Sequence, residues 1–162
     1  MTDTIDTTDD SAYINILKDL ENLQAFGALW PMDIEDLHSR FGVREAVAVM
    51  PVDKLKAFLE FRIKFLQEEL DEMKNAENME DVTDALIDLC VVAIGTMDAL
   101  QINPYTAWKA VHAANMAKQV GIKDGRPNPL GLPDLVKPAG WVGPSHAGNI
   151  GLLAKFNSNK AE

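Results

Sequence analysis

The chain has 162 residues, of which 47% are apolar, so its length predicts one domain with enough apolar side chains for a hydrophobic core. Its formal net charge is −10, which argues against a nucleic-acid-binding protein, since such proteins present a basic face. The single cysteine, Cys90, excludes an internal disulfide and fits a reducing cytoplasm.

Neither residues 1–10 nor the most apolar stretch of the chain predicts membrane association. Residues 1–10 are polar and acidic and lack the basic start and apolar centre of a signal peptide. Residues 85–100 are the most apolar, but they include Asp88 and Asp98 and are too short to span a bilayer. We therefore expect a cytoplasmic protein that contacts no membrane.

The N-terminal third of the chain predicts short helices after a disordered lead at residues 1–10. Apolar residues recur at helical spacing over residues 11–26, and Gly27 ends that helix. A second, short helix is expected over residues 34–41, closed by Gly42. Residues 43–50 fit either a short helix or a loop.

Three longer helices follow, each with a start signal. Asp53 is a plausible N-cap for a helix that reaches about Ala76, and Asn78 for the next helix. Asn103 followed by Pro104 predicts the start of the last helix, which Gly121 should end.

The C-terminal segment, residues 121–162, has the composition of an irregular arm. Residues 121–151 contain seven of the ten glycines and five of the eight prolines. Trp141 is expected to anchor this arm on the bundle. With no strand pattern of useful length, the sequence predicts an all-α helical bundle over residues 11–120, the catalytic domain, followed by the arm.

Acidic residues on two consecutive predicted helices form the strongest functional signal. Glu68, Glu69 and Glu72 lie within one helical turn, and Asp84 and Asp88 lie one turn apart on the next helix. A charge run alone is typical of a solvated helix face. Asp88, however, interrupts an apolar run, where an unpartnered buried carboxylate would cost several kcal/mol. Mg²⁺ prefers hard oxygen ligands, so the sequence predicts a magnesium site between these helices.

Two further pairs are candidates for substrate contacts. Asn115 and Lys118 lie one turn apart and either bind phosphate oxygens or form an exposed helix end. His38 and Phe41 share a face of the short helix, where they either pack near its end or contact a nucleobase.

Five short motifs together resemble the MazG-like all-α NTP pyrophosphatases, and most closely the small phage-type members related to phosphoribosyl-ATP pyrophosphohydrolase. The resemblance covers about residues 34–145. It rests on His-Ser-Arg-Phe-Gly at 38–42, Glu-Glu-x-x-Glu at 68–72, Asp-Ala-Leu-x-Asp at 84–88, Val-His-x-x-Asn-Met-x-Lys at 111–118 and Lys-Pro-x-Gly-Trp at 137–141.

The resemblance implies a four-helix core assembled as a dimer or a dimer of dimers. The wide apolar stripes of the helices over 53–76 and 78–101 predict that these two lie at the centre of the dimer. It implies Mg²⁺-dependent hydrolysis of a nucleoside triphosphate between its α and β phosphates, with Mn²⁺ as a substitute ion, in the host cytoplasm if the protein is phage-encoded. The residue roles it implies are Glu68 for orienting or deprotonating the attacking water, Glu69, Glu72 and Asp88 for holding the metal, and Asn115 and Lys118 for gripping phosphates.

One position departs from the family pattern. Many members carry Glu-x-x-Asp, which would place a glutamate at position 85, but this chain has Ala85 with the acid one residue earlier, at Asp84. Asp84 therefore ligates metal directly, through water or not at all, and the number of metal ions stays open. Two alternatives also remain: hydrolysis of phosphoribosyl-ATP, and a non-catalytic interaction protein of the same fold.

Overall fold

A computed structural model describes residues 30–123, 125, 128–132 and 134–157. The predicted lead at residues 1–10 and the predicted helix over residues 11–26 lie outside the described residues.

The described chain is mostly helical, which confirms the predicted all-α class. Residues 30–40 form α1, which begins earlier than the predicted short helix. The remaining elements are α2 (Val43–Ala48), α3 (Val52–Asn75), α4 (Met79–Ala99), α5 (Pro104–Met116), β1 (Gln119–Gly121), β2 (Asp134–Val136) and a 3₁₀ helix (Gly151–Phe156).

Local capping chemistry explains several helix ends. Gly42 adopts a left-handed conformation, with φ of 65°, and separates α1 from α2. The Asn78 side chain accepts hydrogen bonds from the backbone N–H groups of Glu80 and Asp81, and Asn103 accepts one from Thr106. The predictions for these three residues are confirmed.

Two predicted boundaries are wrong. Asp53 lies inside the first turn of α3, because Pro51 occupies the N-cap position. The last helix ends at Met116 rather than Gly121, and Gly121 instead belongs to β1, which pairs antiparallel with β2. A Cβ atom at Gly121 would come within 2.7 Å of Val136, so glycine permits this close strand pairing. This ribbon within the arm was absent from the sequence prediction.

Helices α3 and α4 run antiparallel and form the centre of the fold. Leu55 near the start of α3 packs with Ala99 and Leu100 at the end of α4 and with Val47 of α2. The 3₁₀ helix covers this core, where the Leu152 backbone N–H donates to the Leu100 carbonyl at 2.8 Å. The 3₁₀ helix thus closes the end of the α3–α4 hairpin opposite the acidic residues.

Helix α5 turns away from α4 at a sharp bend. No helix in the described ranges is by itself long and apolar enough to cross a membrane. Helices α4 and α5 are long and apolar enough only when taken together, and the two are bent by 118° relative to each other.

Candidate active site

An arginine links the two central helices between the hydrophobic core and the acidic residues. The Arg62 Nε–H on α3 donates to Thr96 Oγ1 at 2.9 Å, and its Nη2–H donates to the Val92 carbonyl at 2.9 Å. Burial lowers the pKa of Arg62 from its usual range. These bonds set the register in which α3 faces α4, because both reach one stretch of the partner helix.

The same register brings the two predicted acidic groups together. Glu69 lies seven residues, or about two turns, after Arg62, and Asp88 lies about one turn before Val92. Both carboxylates therefore occupy facing stretches of the antiparallel hairpin.

Glu69 is the centre of this cluster. Its Oε2 atom is buried and has no hydrogen-bond partner among the described residues. Its pKa is raised, first by burial and then by the negative charges of four neighbours: Glu72, Asp88, Glu68 and Asp84. The other four predicted acidic residues therefore all act electrostatically on Glu69.

The donor set suits a divalent cation. Carboxylate oxygens are hard ligands, and a buried, unpaired oxygen surrounded by four further carboxylates is an arrangement that a cation would relieve. As they stand, however, no three histidine, cysteine or acidic side chains within the described part of the chain are arranged to hold a metal ion.

The predicted phosphate-binding pair lies at the end of α5. Lys118 Nζ donates to Asn115 Oδ1 at 2.8 Å, and the same nitrogen lies 5.8 Å from the centroid of the Trp141 ring. The two residues are thus in direct contact, beside the arm.

His38 and Phe41 are placed in different surroundings. His38 Nδ1 lies 2.7 Å from Asp98 Oδ2, and its ring packs against Gly95, where an added Cβ would lie 3.3 Å from it. Phe41 is 69% exposed. The contact with Asp98 favours a packing role for His38, and substrate contact by either residue stays a prediction.

The family model for phosphoribosyl-ATP pyrophosphohydrolase matches residues 34–115, about half of the chain. The chain belongs to this family. It is therefore a hydrolase of phosphoanhydride bonds in nucleotides, and members of the family generally depend on a divalent metal. No curated protein and no solved structure gives a match to the chain.

The match in this pyrophosphohydrolase covers all five carboxylates and ends at Asn115, before the arm. The sequence assigned no role to two residues beside the predicted sites: Arg62, and Lys137, which was named only as part of the Lys-Pro-x-Gly-Trp motif. Arg62 could have been found as a charged residue within the apolar stripe of α3, and Lys137 as a second cation four residues before Trp141.

Proposed function

We propose that this protein is a Mg²⁺-dependent nucleoside triphosphate pyrophosphohydrolase that yields a nucleoside monophosphate and pyrophosphate. The observation that carries the proposal is the buried, unpaired Glu69 oxygen with four carboxylates around it. No lysine or arginine among the described residues forms an ion pair with this cluster. The cluster is therefore suited to binding a cation from solution.

Each carboxylate has a proposed role. Glu69, Glu72 and Asp88 would hold the ion, and Asp84 is a further candidate ligand one turn before Asp88. When bound, Mg²⁺ supplies positive charge to the phosphate oxygens and lowers the pKa of bound water. Glu68, adjacent to the proposed ligand Glu69, would orient the attacking water and accept its proton.

The substrate's phosphates carry several negative charges and would be repelled by the bare acidic cluster. Lys118 offsets part of that charge as a point cation, and the Asn115 amide carries two N–H donors for phosphate oxygens. Water oxygen forms the new bond to phosphorus, the anhydride bond between the α and β phosphates breaks, and pyrophosphate leaves.

A second candidate substrate is phosphoribosyl-ATP, and the description of the matching family favours it. Its hydrolysis breaks the same kind of anhydride bond. Nothing in the acidic cluster discriminates between the two substrates, because the cluster would act on the phosphate chain and not on the base or sugar.

A substrate panel tests both. The common NTPs and dNTPs and phosphoribosyl-ATP are each incubated with the protein and Mg²⁺ or Mn²⁺, and the products are separated by chromatography. We expect a nucleoside monophosphate and pyrophosphate from at least one NTP. A nucleoside diphosphate with orthophosphate would contradict the proposal, and turnover of phosphoribosyl-ATP alone would select the second candidate.

Two charge-matched variants complete the test. Glu68→Gln removes the proposed base and should abolish turnover. Glu60→Gln removes the same charge from an exposed position on the same helix and should leave turnover unchanged.

A further inference from the structure

The ammonium groups of two lysines lie near one aromatic ring at the junction between α5 and the arm. Lys137 Nζ lies 4.5 Å from the centroid of Trp141, and Lys118 Nζ lies 5.8 Å from the same point. Both distances are within the range of a cation–π interaction. The two nitrogens are at most about 10 Å apart, because their distances to the centroid add to that figure.

The ring itself is held in place. The Trp141 Nε1–H donates to the Ala114 carbonyl at 2.7 Å, which ties the arm to the last turn of α5. Beside the ring is an open groove of about 590 Å³. Small residues of α5 and the arm line it, among them Ala110, Ala113, Ala117 and Gly140.

The surroundings of the Trp141 ring are positively charged, in contrast with the acidic molecule as a whole. The chain as a whole has a net charge of −10, yet neither Lys118 nor Lys137 forms an ion pair with a carboxylate within the described ranges. Lys123 and Lys74, in contrast, each pair with an aspartate. Two cations without an ion-pair partner, both within reach of one ring, are complementary to an anion with more than one charged group.

We propose that Lys137 and Trp141 form, with Lys118, a binding site for the phosphate chain of the nucleotide substrate. Lys137 is thus a further substrate-binding residue, and Trp141 positions both ammonium groups. A phosphate chain fits better than a single anion because the two cations are separate points of contact beside one ring. This inference rests on the proposed function, since it takes the ligand to be the substrate's phosphates.

Calorimetry with inorganic tripolyphosphate in the presence of EDTA tests the site directly. This probe carries the phosphate chain without a base or sugar, and chelation removes any contribution from the metal. Loss of one charged hydrogen bond predicts that Lys137→Ala weakens binding about tenfold. Lys137→Arg keeps the charge and should stay within about threefold of wild type.

Lys109→Ala is the matched control. Lys109 is exposed on α5, so this variant removes one positive charge from the helix beside the arm without changing a residue that lines the groove. It should bind tripolyphosphate as the wild type does. Equal binding by Lys137→Ala and Lys109→Ala would overturn the proposal, and so would wild-type protein that binds no tripolyphosphate.

The substrate panel separates this inference from the proposed function. If wild type hydrolyses an NTP and Lys137→Ala has an unchanged KM, the lysine site is wrong and the function stands. If wild type binds tripolyphosphate through Lys137 but hydrolyses no nucleotide, the phosphate site stands and the proposed function fails.

Discussion

Replacing Glu69 by glutamine should change the stability of the protein in opposite directions with and without metal. In the metal-free protein the Glu69 carboxylate is unpaired at Oε2 and is repelled by four other acids. Glutamine has nearly the same shape but no charge, so it removes this repulsion. It also removes a proposed metal ligand.

The size of the gain follows from the four neighbours. Like-charged pairs on a helix surface cost about 0.2–0.5 kcal/mol each, so four partly solvated neighbours give a gain of about 1 kcal/mol for Glu69→Gln. For a chain of this length, about 1 kcal/mol raises Tm by about 2–4 °C. A ligand at one hundred times its Kd stabilises the folded state by about 2.7 kcal/mol, so Mg²⁺ should raise the wild-type Tm by about 5–10 °C.

Thermal unfolding by circular dichroism, at one protein concentration, measures both effects. In EDTA near neutral pH, Glu69→Gln should unfold at a higher temperature than wild type, and in saturating Mg²⁺ at a lower one. Glu60→Gln, which removes an exposed charge from the same helix, is the control and should follow wild type in both conditions.

The higher Tm expected for Glu69→Gln in EDTA should depend on pH. Burial and the neighbouring acids raise the pKa of Glu69 in the folded protein above its ordinary value of 4.5. As pH falls through the raised pKa, folded wild type takes up a proton before the unfolded chain does, so wild type gains stability and the variant does not. The difference in Tm between them should therefore shrink towards pH 4.5.

Two results would refute this reasoning. If Glu69→Gln has a lower Tm than Glu60→Gln in EDTA, the Glu69 carboxylate stabilises the fold through a partner. An equal Mg²⁺-induced rise in Tm for Glu69→Gln and wild type would remove Glu69 from the metal site.

The other predictions concern neighbouring groups and assembly. Asp88→Asn should lose activity by at least about a hundredfold while its circular dichroism spectrum stays that of wild type. Asp84→Asn should lose activity only in part. Wild-type turnover by Asp88→Asn would exclude Asp88 as a metal ligand. Arg62→Met should lower the free energy of unfolding in urea by about 1.5–3 kcal/mol, because two charged hydrogen bonds to Val92 and Thr96 are lost, and a change below about 0.5 kcal/mol would contradict that role. The protein should be a dimer or larger by light scattering, since large apolar side chains of α3 and α4 are exposed in the single chain, and a fully active monomer at low micromolar concentration would refute this.

Sequence alone was sufficient for features that depend on neighbouring residues. Asn78 and Asn103 cap their helices because each side chain bonds to N–H groups two or three residues ahead, and this needs no other element. Gly42 turns the chain for the same local reason. The helical spacing of the five acidic residues likewise placed each group on one side of its helix.

Two helix boundaries were not predictable in this way. Gly121 looked like a helix end, but it lies in a strand because Val136, fifteen residues later, pairs with this segment. Asp53 is a good capping residue by type, yet Pro51 begins the helix two residues earlier. Local propensity could not predict that Gly121 would lie in a strand, nor that Pro51 rather than Asp53 would occupy the N-cap position.

The sequence by itself determined that the three long helices α3, α4 and α5 form and that acidic side chains recur on two of them. Only the tertiary structure decided that these acids meet, because the Arg62 bonds to α4 set how far one helix slides along the other. It also decided that Lys118 and Lys137, nineteen residues apart in the chain, share one tryptophan ring. Helix formation rests on bonds within four residues, whereas a charged site rests on the packing of whole helices, which sequence spacing does not encode.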